Sequence, residues 1–207
     1  NNVIDSGCDK TYQNEIRKKL LQNKNSIILY SGRLSLYTTG KYFDNLEGGK
    51  DENYKWNYRF KNEDNLSIED GIKETINELL ENQNYVILLY PIPEVGWHVP
   101  RKLLAKTISR KLLKKNYNIE SIDNLLTTNY EVFKKRHRKI FKVLDGLEHK
   151  NLFKIYPHKI FCNSIIENRC ITSLNGKILY SDDVHVSIYG SQMINDLILN
   201  EIKKIDN

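Results

Sequence analysis

The sequence predicts an α/β sandwich in which a mainly parallel sheet lies between two layers of helices. Three observations carry this. Apolar runs at Ser26–Tyr30, Tyr85–Tyr90 and Leu152–Tyr156 alternate with longer stretches whose apolar residues recur at helical spacing. The runs are continuous, as in strands covered on both faces. Repeated strand–helix alternation builds a parallel sheet covered on both sides. The 207 residues are enough for a sizeable core, and no repeat or low-complexity linker divides them, so residues 1–207 are read as one domain.

In order, Asn14 to Asn23 is a short amphipathic helix with Ile16, Leu20 and Leu21 on one side. Ser26–Tyr30 is the first buried strand. Thr38 to Asn65 is polar, Gly-rich and aromatic, and reads as a surface excursion. Ser67-Ile68-Glu69-Asp70 opens a helix with a serine cap and an acidic first turn, and Ile72, Ile76, Leu79 and Leu80 form its apolar face. Tyr85–Tyr90 is a second buried strand, stopped by Pro91. Helices follow at Arg101–Leu113 and Asn129–Leu147, then a third strand at Leu152–Tyr156. Val186–Ile205 closes the chain as a helix with Ile188, Met193, Leu197 and Ile202 as core positions.

Composition narrows the function classes. Apolar content of 40% and charged content of 28% are ordinary for a globular protein. No stretch has the roughly 20 apolar residues that span a bilayer, and the first residues lack the basic and apolar regions of a signal peptide. The net charge of +6 raises a nucleic-acid reading, for which Phe133–Lys139 is the best stretch. A solvated helix face explains that stretch better, and no nucleic-acid partner is expected. Of the three cysteines, Cys162 and Cys170 lie close together in a loop-like region. They read as a disulfide, hence an oxidising compartment, or else as two free buried thiols. Cys8 is left over. With no second cysteine pair and no histidine at ligand spacing, no metal site is expected.

The segment Leu179-Tyr180-Ser181-Asp182-Asp183-Val184-His185-Val186-Ser187 carries the most chemistry. An acidic residue three positions before a histidine can orient its imidazole and stabilise the imidazolium while the other ring nitrogen works as a base. Asp182 and His185 are therefore the candidate catalytic pair, the alternative being a solvated loop before a helix. Asp183 reads as a helix-start carboxylate. Ser31-Gly32-Arg33, Pro91–Glu94 and Asp182–His185 all follow apolar runs, so they could converge at the carboxyl edge of the sheet, where sites of such folds gather.

These segments resemble a family. Ile28–Tyr37 with its Ser-Gly-Arg, Tyr90-Pro91-Ile92-Pro93-Glu94-Val95-Gly96-Trp97-His98-Val99-Pro100, the cysteine pair, and Tyr180–Ser187 followed by Gly190 together are similar to the SGNH-hydrolase domain fused behind the integral-membrane acyltransferase domain of bacterial O-acetyltransferases. Those enzymes modify lipopolysaccharide, peptidoglycan or exopolysaccharide sugars. The resemblance implies an SGNH-like three-layer α/β/α sandwich and O-acetyl transfer to a glycan hydroxyl by serine–histidine–aspartate double displacement. His185 would be the general base, Asp182 its orienting carboxylate, and Arg33 an oxyanion or substrate contact, with a strand-end salt bridge as the alternative. No cofactor is implied. The partners would be a glycan acceptor and an acyl donor delivered by an upstream membrane domain. The location would be the periplasm or another extracytoplasmic face, tethered to the inner membrane.

The sequence departs from the family at the nucleophile. The family's Gly-Asp-Ser block after its first strand is absent, and Ile4-Asp5-Ser6-Gly7 puts Ile4 where a glycine allows the tight turn. The expectation is a domain without its first strand, with the serine upstream rather than at Ser6, and a chain inactive by itself. A carbohydrate esterase on the same site and a catalytically silent glycan- or partner-binding module are the competing readings.

Overall fold

The computed structural model describes residues 10–53, 55, 57, 66–112 and 126–205. Helix α1 (Lys10–Gln22) leads into strand β1 (Ile27–Tyr30), helices α2 (Leu34–Thr39) and α3 (Ile68–Glu81), strand β2 (Tyr85–Leu89) and helix α4 (Val99–Leu112). Then come β3 (Thr127–Asn129), α5 (Tyr130–Asp145), β4 (Leu152–Ile155), α6 (His158–Phe161), β5 (Arg169–Ile171), β6 (Ser173–Leu174), β7 (Lys177–Ile178) and α7 (Ile188–Ile205). The central sheet has the order β1-β2-β4 and is wholly parallel, with Ile28 opposite Val86 and Ile87 opposite Phe153. Two antiparallel pairs, β3 with β5 and β6 with β7, lie outside it.

Helices cover both faces of the sheet, as the alternation of elements requires. Because successive side chains of a strand point to opposite faces, β2 divides its buried residues between two cores. Val86 and Leu88 join Ile76 and Leu79 of α3 and Ile140 and Leu144 of α5. Ile87 and Leu89 join Val99 and Leu103 of α4, Ile155 of β4 and Ile194 of α7. The predicted capping of α3 is present: Ser67 Oγ accepts the Asp70 N–H at 3.0 Å. Its four predicted apolar positions are all buried.

Four expectations are corrected. Strand β1 is not covered on both faces, because the described residues pack on only one of them: Ile28 and Tyr30 face inward while Ile27 and Leu29 are exposed. The excursion after α2 is not merely surface, since Phe43, Asn45 and Asp51 are buried. Ile188 is exposed and Ile194 takes the core position of α7, because six residues at 3.6 per turn put the two on different sides of the helix. Cys162 and Cys170 form the disulfide, yet both are buried and face each other across an antiparallel bridge rather than in a surface loop. The turn between them is closed by Asn163 and Asn168, both at positive φ, with Asn163 Oδ1 accepting the Asn168 N–H at 2.8 Å. Cys8 lies outside the described residues.

Two histidines that carry no motif are buried. His137 of α5 sits among Phe133 and Phe141, with Ser35 Oγ 2.5 Å from its Nδ1. Burial pushes its pKa from 6.5 down to about 3, and burial with Lys159 nearby pushes His158 down to about 4. Both imidazoles are therefore neutral in the fold, whereas in the unfolded chain they protonate near 6.5. Between about pH 6.5 and 4 unfolding takes up protons, so stability falls as pH falls. Denaturant midpoints across that range should drop, and His137→Asn should remove about half of the slope. The disulfide gives a second expectation. Replacing both Cys162 and Cys170 with serine should lower unfolding free energy by about 2–4 kcal/mol, read from the same denaturant curves.

Candidate functional site

The residues singled out near the C-terminus sit on a turn whose geometry is fixed from within. Tyr180 and Val186 form an isolated antiparallel bridge, and the Ser181 N–H donates to the His185 carbonyl at 2.9 Å. Inside this turn Asp182 Oδ1 accepts the N–H groups of Val184 at 2.8 Å and His185 at 2.6 Å. Its other oxygen, Oδ2, lies 2.7 Å from His185 Nδ1. Partial burial would raise the Asp182 pKa, but these backbone donors and the imidazole outweigh it and hold the carboxyl below its ordinary range. An ionised Asp182 accepting from Nδ1–H fixes the tautomer that leaves Nε2 as an acceptor. The pair is thus built as an Asp–His dyad. The imidazole is 72% exposed.

The turn is held at its place by the segment after β2. The Val95 and Gly96 N–H groups donate to the Asp183 carbonyl at 2.9 and 3.1 Å, and the Val99 N–H donates to the Asp182 carbonyl at 3.2 Å. Tyr180 is buried and its hydroxyl donates to the Pro93 carbonyl at 2.8 Å. Asp183 is not a helix-start carboxylate. It is buried five residues before the start of α7, where its Oδ2 accepts the Glu52 N–H at 3.3 Å. Burial, with Asp51 nearby as a like charge, raises its pKa. The helix start belongs to Ser187, whose Oγ accepts the Tyr189 N–H at 3.2 Å.

Arg33 follows β1 and is committed to carboxylates. Its Nη2 lies 2.5 Å from Glu94 Oε1 and 2.8 Å from Asp51 Oδ2. Glu94 Oε2 in turn accepts from Arg136 Nε of α5 at 2.9 Å, and the Arg136 side chain is only 9% exposed. Burial would raise the Glu94 pKa, but Arg136 and Arg33 outweigh it and lower it, so the carboxylate stays ionised. The strand-end salt bridge considered for Arg33 is therefore present and larger than a pair. Arg136 lies in the basic stretch Phe133–Lys139, where Phe133 and His137 are buried and Lys139 pairs with Glu69.

A second loop seals this arrangement. Asn45 is buried; its Oδ1 accepts the Glu47 and Gly49 N–H groups, each at 2.8 Å, and its Nδ2 donates to the Val95 carbonyl at 2.8 Å. Backbones approach closely here: a Cβ on Gly96, at φ 74°, would come 2.9 Å from the Gly49 oxygen. Glu47 reaches out to Arg169 of β5 at 2.6 and 3.1 Å. Sequence reasoning assigned no role to Asn45, Asp51, Glu94 or Arg136. The one available signal was a carboxylate between Pro93 and Gly96 in an otherwise apolar loop. Thus the structure joins Arg33, the Pro91–Trp97 segment and Asp182–His185 through a continuous chain of bonds. Arg33 and the Pro91–Trp97 segment follow β1 and β2 of the central sheet, whereas the Asp182–His185 turn lies beyond the β6–β7 hairpin. Ser6 lies outside the described residues, and among those residues no group of His, Cys, Asp and Glu is placed to hold a metal.

A family model described as "SGNH domain (fused to AT3 domains)" matches residues 1–200. Among solved structures, the periplasmic domain of the Salmonella ser. Paratyphi A lipopolysaccharide acetyltransferase superposes with a TM-score of 0.52 at 16% identity. The match covers 93% of this chain and 62% of that one, so the chain spans less than two thirds of its length. At that identity the likeness establishes the mixed α/β fold. No curated relative matches the sequence.

The ion network makes a direct prediction. Glu94→Gln leaves Arg136 buried beside a neutral group and should cost about 3–5 kcal/mol of unfolding free energy. Glu47→Gln, at the exposed rim of the same loop, should cost less than about 1 kcal/mol. Chemical denaturation of the two variants compares them.

Proposed function

The chain belongs to the SGNH domains fused to AT3 domains, and on that premise we propose that it transfers an acyl group, acetyl in the first instance, to a hydroxyl of a bacterial cell-envelope glycan. The observation that supports this reading is the Asp182–His185 dyad with its tautomer fixed and its second nitrogen left available. His185 is the general base, Asp182 its orienting and stabilising carboxylate, and Arg33 the oxyanion or substrate contact, held by Glu94 and Asp51. In the first step a serine Oγ attacks the acyl carbonyl and gives its proton to His185 Nε2. The donor's leaving group then departs with that proton, and the acyl-enzyme remains. In the second step the sugar hydroxyl attacks the acyl-enzyme, its proton goes to His185, and the serine is restored.

The nucleophile is assigned to an upstream segment rather than to Ser6. The serine nearest the dyad among the described residues, Ser181, donates its hydroxyl to the His185 carbonyl at 3.1 Å. Among the described residues β1 is paired on one side only, with Ile27 and Leu29 exposed, which leaves room for another strand in the central sheet. A parallel strand added there would end beside Ser31-Gly32-Arg33 and could bring a serine to the dyad. The acyl donor would come from the membrane acyltransferase domain, and the buried disulfide fits an extracytoplasmic location. Among the described residues no helix is long and apolar enough to cross a membrane. The openness of the imidazole favours one second reading, an esterase in which water replaces the sugar hydroxyl.

The test compares the 207-residue chain with one extended through its upstream segment, by acetyl-ester hydrolysis and labelling with a fluorophosphonate probe. The extended chain should be labelled and active, and the short chain neither. In the extended chain His185→Ala should lower the rate by about 10³-fold or more. Labelling of the short chain at Ser6 would overturn the upstream assignment. An extended chain that is folded, unlabelled and inactive would leave only a binding module.

A further inference from the structure

Helix α4 has two faces, and among the described residues one of them supplies its core contacts. Val99 and Leu103 are buried in the core beneath the sheet. Leu104, Ile108 and Leu112 recur at intervals of four residues, and at roughly 100° per residue they fall within about 80° of one another, on the side away from Val99 and Leu103. Their exposures are 61%, 50% and 79%, so three large aliphatic side chains in a row face outward over two turns. Scattered apolar residues on a surface need no explanation, but an aligned stripe does. The charge of the same helix is one-sided. Its sequence, VPRKLLAKTISRKL, holds five cations and no acidic residue. Arg101 and Lys102 are exposed at the N-terminal end of the stripe.

From this juxtaposition we infer that α4 docks on an anionic lipid bilayer, lying in the headgroup plane with Leu104, Ile108 and Leu112 turned into the acyl boundary. A short helix with an apolar stripe and a cationic remainder suits that interface, because the aliphatic groups leave water while Lys and Arg remain among phosphates. With 14 residues it is too short to span the bilayer. A second copy of the same helix is a poor occupant, since it would bring five more cations and no acidic residue to the contact. Docking here would also set the height of the Asp182–His185 turn above the lipid, because Val99, the first residue of α4, donates to the Asp182 carbonyl. The inference rests on α4 alone and holds whether or not the dyad is catalytic.

Flotation with lipid vesicles tests it, using phosphatidylcholine alone and phosphatidylcholine with phosphatidylglycerol, without substrate. The chain should float with the anionic vesicles, less so in high salt, and hardly at all with neutral ones. Because the whole chain is cationic, the decisive variant removes apolar groups and no charge: Leu104→Gln with Ile108→Gln and Leu112→Gln. It should keep the wild-type circular dichroism and thermal midpoint and lose vesicle binding by about tenfold or more. Binding unchanged in that variant would mean charge alone attracts the protein, and overturns docking by the stripe. A wild-type chain that ignores vesicles, while the variant melts several degrees lower, would show that the chain itself covers the stripe. A wild-type dimer dissociated by the variant would make a second copy the occupant. Either result overturns the inference.

Discussion

The ionised carboxylate of Glu94 is the constraint on which the arrangement around the Asp–His turn depends. It is buried, and an unpaired buried charge costs several kcal/mol. It is tolerable only because Arg33 and Arg136 reach it from opposite directions, one from the turn after β1 and one from α5. The carboxylate therefore ties the end of an edge strand to a helix on one face of the sheet, through a loop that belongs to neither. Such a network adds little net stability over an apolar core of the same shape, but it tolerates few alternative packings.

Position passes outward from that point by backbone hydrogen bonds. The Glu94 segment presents the N–H groups of Val95, Gly96 and Val99 in succession, and these fix the carbonyls of Asp182 and Asp183. Asn45 and the close contact of Gly49 with Gly96 hold the loop from above. A turn that carries an exposed histidine would otherwise be free to move. Here its backbone is bonded on one side to the 95–99 segment and closed internally by Asp182. Such a preset backbone is what the role proposed for His185 would require.

Among the described residues, apolar side chains stay exposed on β1 and on the outer face of α4. A parallel sheet normally buries both faces. This one does so at β2, only in part at β4, and not at β1.

The sequence by itself determined the elements whose signals are local. Continuous apolar runs located β1, β2 and β4, helical periodicity located α3, α5 and most of α7, and Ser67 marked the start of α3, because these follow from side-chain period and capping chemistry within a few residues. The Asp182-x-x-His185 pair was legible for the same reason: the carboxylate and imidazole meet across one turn of their own segment. What tertiary structure alone decided involves partners far apart in the chain. Nothing local says that Glu94 meets Arg33 and Arg136, that Asp183 is buried against Glu52, or that His137 is sealed among aromatics beside Ser35. Nor could an apolar run reveal whether a strand is central or at an edge, since Ile27 and Leu29 look as buried in sequence as Ile87 and Leu89. Burial depends on which neighbours arrive, and those neighbours are chosen by the packing of the whole sheet rather than by the strand's own residues.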